Sequence, residues 1–267
     1  MMADEARSLV PAITRASAIL DLLSHERGAI GISAIARRLG FPKSSVANIC
    51  STLIDTGLLR SQDGGVQLGH RLAQLGGSYL AGIDQVRLFQ ESCALLQAGR
   101  DDTVQLAMLS DGIDVIYLAK REGVYPVRLA STPGRALPAT CTATGKAMLA
   151  TLDTDDVRAR LAEAGSLPQL TPRSIATEAD LFRELELIRS RGYALDQEEV
   201  IEGVVCVGLA IPRVSSSEQL LAVSITLLKP RATKPRLREL AGELGVVTDA
   251  IATGLGAPKR RKTAAAG

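Results

Sequence analysis

Tryptophan is absent from this chain of 267 residues, histidine occurs only twice, and aromatic residues make up 3% of it. With His25 and His70 as the only imidazoles, histidine-built metal sites and nucleophilic catalysis that needs a histidine base have few parts to draw on. Cys50, Cys93, Cys141 and Cys206 stand far apart with no C-x-x-C pair, so neither a disulfide scaffold nor a zinc cluster is expected, and the thiols read as reduced. Long apolar runs are missing too. None approaches the ~18 residues of a membrane span, and "MMADEARSLV" carries acids where a secretory leader would be basic. A cytoplasmic chain without membrane, metal or cofactor is the expectation. The net charge of only +2 supplies no global field for nucleic acid, so any such site must be local.

What the chain does have is 46% hydrophobic residues, enough to bury a core, and a length that suits two domains. Ala16, Ile19, Leu20 and Leu23 recur at helical spacing from Thr14 to Ser24. Ser33 is read as capping a short helix over "AIARRLG" that stops at Gly40. Phe41-Pro42 makes a corner, and Val46, Ile49, Cys50 and Leu53 give a third helix, to about Thr56, its apolar stripe. Two short strands around Asp63-Gly64-Gly65 follow. Three helices and a hairpin in this order predict a winged helix-turn-helix over 9–70, followed by a linker helix over 71–83.

Beyond it, "DQVRLFQESCALLQAG" reads as one helix, "TVQLAML" and "IDVIYLAK" as strands joined by an Asp-Gly turn, and "VYPVRLAS" as another strand. "KAMLATL", "DTDDVRARLAEAG" and "TEADLFRELELIRSRG" read as helices, the last opened by a Thr-x-x-Asp cap. "YALD", "VVCVGLAIP" and "LLAVSITLL" are strands, and a closing helix covers about Pro235 to Leu255. The class is α+β: an antiparallel sheet covered by helices over 84–256, with a disordered basic tail over 257–267.

A helix that enters the major groove needs small hydrogen-bonding residues near its N-terminus, where the backbone N–H groups and the positive dipole end also meet phosphate. Lys43, Ser44 and Ser45 answer that need, and Asn48, on the face opposite Val46 and Leu53, suits the edge of adenine. Ser51 and Thr52 extend the polar face, and Arg15, Arg37, Arg38 and Arg60 are candidates for phosphate contact. The blander reading of "PKSS" is an ordinary helix cap; the full order of helices and hairpin favours double-stranded DNA.

These residues carry a resemblance. "ITRASAILDLLS", "SAIARRLGFPKSSVANICSTLIDTGLL" and "VQLGHRLAQLG" resemble the N-terminal domain of IclR-type bacterial transcription regulators, and "GRALPATCTATGKAMLA" with "GYALDQEEVIEGVVCVGLAIP" resembles their effector domain. The likeness runs from about Leu9 to Leu255. It implies a winged helix-turn-helix, a linker helix that helps dimerise, a GAF-like domain that senses a small molecule, and homodimers or homotetramers on palindromic operators, as repressor or activator. It also implies an effector site at Ala143 and Thr144, Asp196, Cys206, Ser224 and Thr226.

Strand alternation points independently to the same face. Val205, Val207, Leu209 and Ile211 share one side of their strand and Cys206, Gly208 and Ala210 the other; Ala222, Ser224 and Thr226 repeat the small side on the next. Small, weakly polar groups predict either a hollow for a small organic or aromatic acid or a face packed closely by a helix. A solvated acidic loop is the plain reading of Asp196, Glu198 and Glu199. Two other functions are weighed: an enzyme using Cys206, which has no base nearby in sequence, and a DNA-binding oligomer with no effector. "TATGKA" lacks the spacing of a phosphate loop, and no catalytic residue is assigned.

Overall fold

A computed structural model of the chain describes residues 9–124, 132–213, 215 and 217–257. It divides into two compact units, Met1–Gly82 and Ile83–Gly267. The predicted strand over "VYPVRLAS" falls outside the described residues beyond Val124, as does the basic tail beyond Ala257.

The first unit holds α1 (Pro11–Ser24), α2 (Ile32–Leu39), α3 (Lys43–Asp55), the hairpin β1 (Leu59–Gln62) and β2 (Gly65–Leu68), and α4 (Arg71–Ala81). Its core gathers one stripe from each of the first three helices, including Ile19, Leu23, Ile35, Val46, Cys50 and Leu53, with Leu59 and Val66 from the hairpin. Each such side chain contributes roughly 1.5–3 kcal/mol by leaving water. Gly40 ends α2 in the left-handed conformation at φ 71°, which glycine adopts without a Cβ penalty. Ser33 does not cap α2: the helix starts one residue earlier, at Ile32, with Gly31 at the cap and no side-chain cap bond. Pro42 stands just ahead of α3 with extended ψ of 130°. β2 also bridges Ile30 through Val66, and a Cβ on Gly65 would lie 2.2 Å from the Ile30 carbonyl. That contact is why glycine is needed at the root of the hairpin.

In the second unit come α5 (Asp84–Ser92), β3 (Thr103–Leu109), β4 (Asp114–Arg121), β5 (Ala136–Pro138), α6 (Ala143–Leu149), α7 (Thr154–Ala164) and α8 (Glu178–Arg191). β6 (Ala194–Gln197), β7 (Val204–Ala210), β8 (Leu221–Leu228) and α9 (Lys234–Gly254) complete it. The six strands form one antiparallel sheet in the order β5-β4-β3-β8-β7-β6, so the class is α+β as expected. Helix α5 is shorter than its pattern: 3-10 turns at Cys93–Leu95 and Ala98–Asp101 replace its second half. Gly99, in the second turn, lies against Ile225 and Leu240. Glu243 of α9 accepts the amides of Gln97, Ala98 and Gly99 at 3.1, 2.7 and 2.9 Å, so a carboxylate satisfies donors that a regular helix would have paired internally.

One sheet face, with Ala107, Tyr117, Ala194 and Ala222, packs on α6, α7 and α8 through Met148, Val157, Leu161, Leu181 and Leu185. Alternation turns Ile225 to the other face, toward Leu240 of α9. The Thr177 hydroxyl accepts the Asp180 amide at 3.1 Å and opens α8, the cap that the Thr-x-x-Asp spacing predicts.

Candidate functional site

Two places bring the predicted side chains together, one in each unit. On α3, Lys43, Ser44, Asn48, Ser51 and Thr52 are all exposed, while Val46, Cys50 and Leu53 on the opposite side are buried. The stripe of buried residues fixes the helix's rotation, and with it the outward aim of the Asn48 amide. Ser45 is half-buried and accepts from Arg15 Nη1 at 3.0 Å; the same guanidinium sits 5.7 Å from the Phe41 ring centroid. Thr52 donates to the Asn48 carbonyl at 3.1 Å, which leaves its hydroxyl oxygen free to accept only. Arg38 is exposed and ion-paired with Glu26. It can meet phosphate by exchanging that partner, a change of small cost for a surface pair.

In the second unit the register sorts the predicted residues into rows across the sheet. Asp196 of β6 lies opposite Cys206 of β7, Cys206 opposite Thr226 of β8, and Thr226 opposite Thr103 of β3. Ser224 belongs to the neighbouring row, between Gly208 and Gln105. Thr226 donates to Gln105 Oε1 at 3.2 Å, so the 3.2 Å contact between Cys206 Sγ and Thr226 assigns the thiol as donor. Thr144 of α6 and Tyr117 of β4 complete the cluster: the Tyr117 phenol is raised above its ordinary pKa by burial first, and by its neighbours Cys206 and Asp196. The Thr144 hydroxyl is buried without a well-aligned hydrogen bond.

Thr144, Asp196, Ser224 and Thr226 of the cluster are each at most 2% exposed, whereas Cys206 between them is partly exposed. At Gly208 helix α6 rests on the sheet, where a Cβ would stand 2.8 Å from the backbone of Ala143. Among the described residues, clefts of about 240 and 480 Å³ border the cluster, the first lined in part by Gly208 and the second by Lys146 and Glu199, while others of about 450 and 460 Å³ lie elsewhere.

The acids at the end of β6 and just beyond it do not form a solvated loop. Asp196, Glu198 and Glu199 are 2%, 8% and 5% exposed. Asp196 Oδ1 accepts the Glu199 amide at 2.7 Å, the Glu199 carboxylate pairs with the buried ammonium of Lys146, and Glu199 Oε2 has no partner. Thr171 and Ser174 hold the loop by donating to the Glu198 and Glu199 carbonyls, each at 2.7 Å. Burial pushes the Asp196 carboxyl up to about 7, against the pull of the Glu199 amide. The Cys206 thiol is also pushed up, by burial and then by Asp196, so it stays protonated and is a poor nucleophile.

Sequence reasoning passed over Tyr117, Gln105 and Lys146, and took Glu199 for part of a solvated loop. Only the Gly-Lys pair gave a signal: a Cβ on Gly145 would lie 2.3 Å from Ala139, so the glycine seats the helix and the next residue is forced inward.

The comparisons fit this geometry. Residues 12–63 match the IclR helix-turn-helix domain, and residues 78–253 match the domain described as bacterial transcriptional regulator IclR C-terminal. The HTH-type transcriptional regulator XynR of Escherichia coli is 29% identical over 252 residues, covering 94% of this chain and 99% of the relative. The crystal structure of the Thermotoga maritima IclR superposes with a TM-score of 0.67 at 27% identity, over 92% of this chain and 98% of the other. An IclR homologue from Microbacterium hydrocarbonoxydans, described as complexed with 4-hydroxybenzoate, shares the fold at a TM-score of 0.69 and 22% identity, over 91% of this chain and 99% of the other.

Proposed function

Because the chain belongs to the IclR family of bacterial transcriptional regulators, we propose that α3 reads an operator in the DNA major groove and that the buried polar cluster of the second unit receives a small organic or aromatic acid that alters this reading. The observation that carries the first half is the exposed strip of Lys43, Ser44, Asn48 and Ser51 on a helix whose other side is locked into a core. Asn48 pairs with adenine, Lys43 with phosphate, and the hairpin approaches the backbone beside the groove. Arg38, Ser45 and Thr52 hold position around them. The protein works as a dimer or tetramer in the cytoplasm, where the DNA is, and Ala143, Thr144, Asp196, Cys206, Ser224 and Thr226 surround the effector. The domain bounds that go with this reading are 9–70, 71–83 and 84–256. The relatives are named as regulators, not as enzymes.

The ligand acts by binding one arrangement of the paired reading heads better than another, since equal affinity for both would shift nothing. Gel shift on DNA from upstream of the protein's own gene tests the first half. Asn48→Ala should weaken binding about 5- to 100-fold, which corresponds to the ~1–3 kcal/mol of a bidentate contact. Lys43→Ala should lower the salt slope by about one. Unchanged affinity and slope in both variants would remove these residues from the interface. Thermal shift against a panel of monocarboxylic and aromatic acids, 4-hydroxybenzoate among them, tests the second half. The seating of α6 on the sheet at Gly208 favours one rival, a DNA-binding oligomer that senses nothing, and a flat response across the panel would select it.

A further inference from the structure

The cluster around Asp196 has an unusual charge balance for a place that receives an acid: the cation that acts on Asp196, Lys146, is already engaged by another carboxylate. Lys146 is held by Glu199. Arg173 and Lys229 are held by Glu198 at 3.4 and 2.6 Å, and Arg191 by Glu184 at 2.6 Å. The other groups that act on Asp196 are the Cys206 thiol from β7, the Tyr117 phenol from β4 and, from its own loop, the Glu199 and Val200 amides, while the charge of the Glu199 side chain is offset by its partner Lys146. Thr226 and Gln105 extend the row and are uncharged.

A carboxylate brought beside Asp196, itself 2% exposed, would therefore put two negative charges a few ångströms apart in a poorly hydrated place. Two carboxyl groups in that situation do not both ionise; they share one proton, as a hydrogen bond between acid and carboxylate. We propose that an acid ligand is bound together with a proton, so that its carboxyl group and Asp196 jointly carry a single negative charge. This rests on the reading that the effector is an organic acid seated beside Asp196. It makes the ligand class the acid plus a proton rather than the bare anion, and it ties operator control to pH.

The direction follows from the free states. A free carboxylic acid is ionised above about pH 5, while burial holds the Asp196 carboxyl up to about 7 before the ligand arrives. Below that value Asp196 already carries the shared proton and affinity is flat. Above it the proton must come from solvent, and affinity falls about tenfold per pH unit.

The experiment is titration calorimetry with the strongest-binding acid of a panel that starts with benzoate and 4-hydroxybenzoate, across pH 6.5 to 8.5. At pH 8 it is repeated in phosphate and in Tris, whose different ionisation heats report the protons taken up. Wild type should take up close to one proton at pH 8, and its Kd should rise about tenfold between pH 7.5 and 8.5. Asp196→Asn keeps an oxygen for the Glu199 amide but cannot titrate, and should bind with no proton uptake and a flat profile. Circular dichroism confirms that the variant is folded. A wild-type Kd constant across this range while binding persists, or a pH dependence retained by Asp196→Asn, would overturn the inference and leave the effector reading intact. Absence of binding by every acid at both ends of the range would instead remove that reading, and the inference with it.

Discussion

Replacing Asp196 by Asn should make the protein more stable at pH 8, and the gain should vanish in acid. In the unfolded chain this carboxyl titrates near its ordinary 3.8; in the folded chain burial holds it at about 7. The folded state thus binds the proton more tightly, and stability falls as pH rises from about 4 through 7. Once both states are ionised, above 7, the full penalty is present: roughly 4 kcal/mol at about 1.4 kcal/mol per pH unit. Asn is neutral at every pH and keeps an oxygen for the Glu199 amide, but a neutral acceptor holds that amide less strongly than a carboxylate does, by about 1–2 kcal/mol. The net gain at pH 8 is then about 2–3 kcal/mol. For a chain of this size that is roughly 5–10 °C in Tm. Thermal melts of both proteins followed by circular dichroism, at pH 5 and pH 8 and one fixed concentration, measure it. An Asn variant that melts at or below wild type at pH 8, or a difference that is the same at both pH values, would refute the reasoning.

Lys146→Met should destabilise by about 3–5 kcal/mol in urea unfolding, because it leaves the Glu199 carboxylate buried without its ion partner. Adding Glu199→Met to that variant should recover much of the loss; if the double variant is no better than the single, the pair is not coupled. Gly145→Ala should cost about 1–3 kcal/mol or more, since the new methyl would fall 2.3 Å from the Ala139 backbone, which cannot move aside as a flexible side chain would. A neutral Gly145→Ala would mean that α6 is not seated where the glycine places it.

Local rules carried the first unit. The 3.6-residue stripes of α1 and α3, the stop at Gly40 and the hairpin at Asp63-Gly64 depend on neighbours in sequence, and they were legible there. Ser33 misled because a serine near a helix start imitates a cap, whereas the chain turns at Gly31, two residues earlier. In the second unit the alternation of Cys206-Gly208-Ala210 marked the small-residue face of its strand. What that face packs against was not legible: the small residues admit α6 at Gly208 and a polar cluster at Cys206, two outcomes written in the same pattern. β5 was missed within "TPGRALPATCTATG" because three residues carry no period; it exists by pairing with β4. Tyr117 was invisible for a similar reason. A register shift between Leu106 and Ala107 places it opposite Ala107, and only tertiary pairing sets that offset. Glu199 and Lys146, 53 residues apart, are a charge pair that no local rule finds.

The hairpin of the first unit is anchored unequally along its length. At its root Gly65 lies on the Ile30 carbonyl and Val66 bridges the same residue, whereas one position earlier Gly64, in the left-handed region at φ 88°, has empty space where a side chain would project. Asp63 could therefore be exchanged without disturbing the three-helix body, whereas Gly64, with room for a side chain, is still held to glycine by its positive φ. A change at Gly65 would lever the whole arm off its seat. The arm beside the double helix is thus fixed at its base and open to change at its tip.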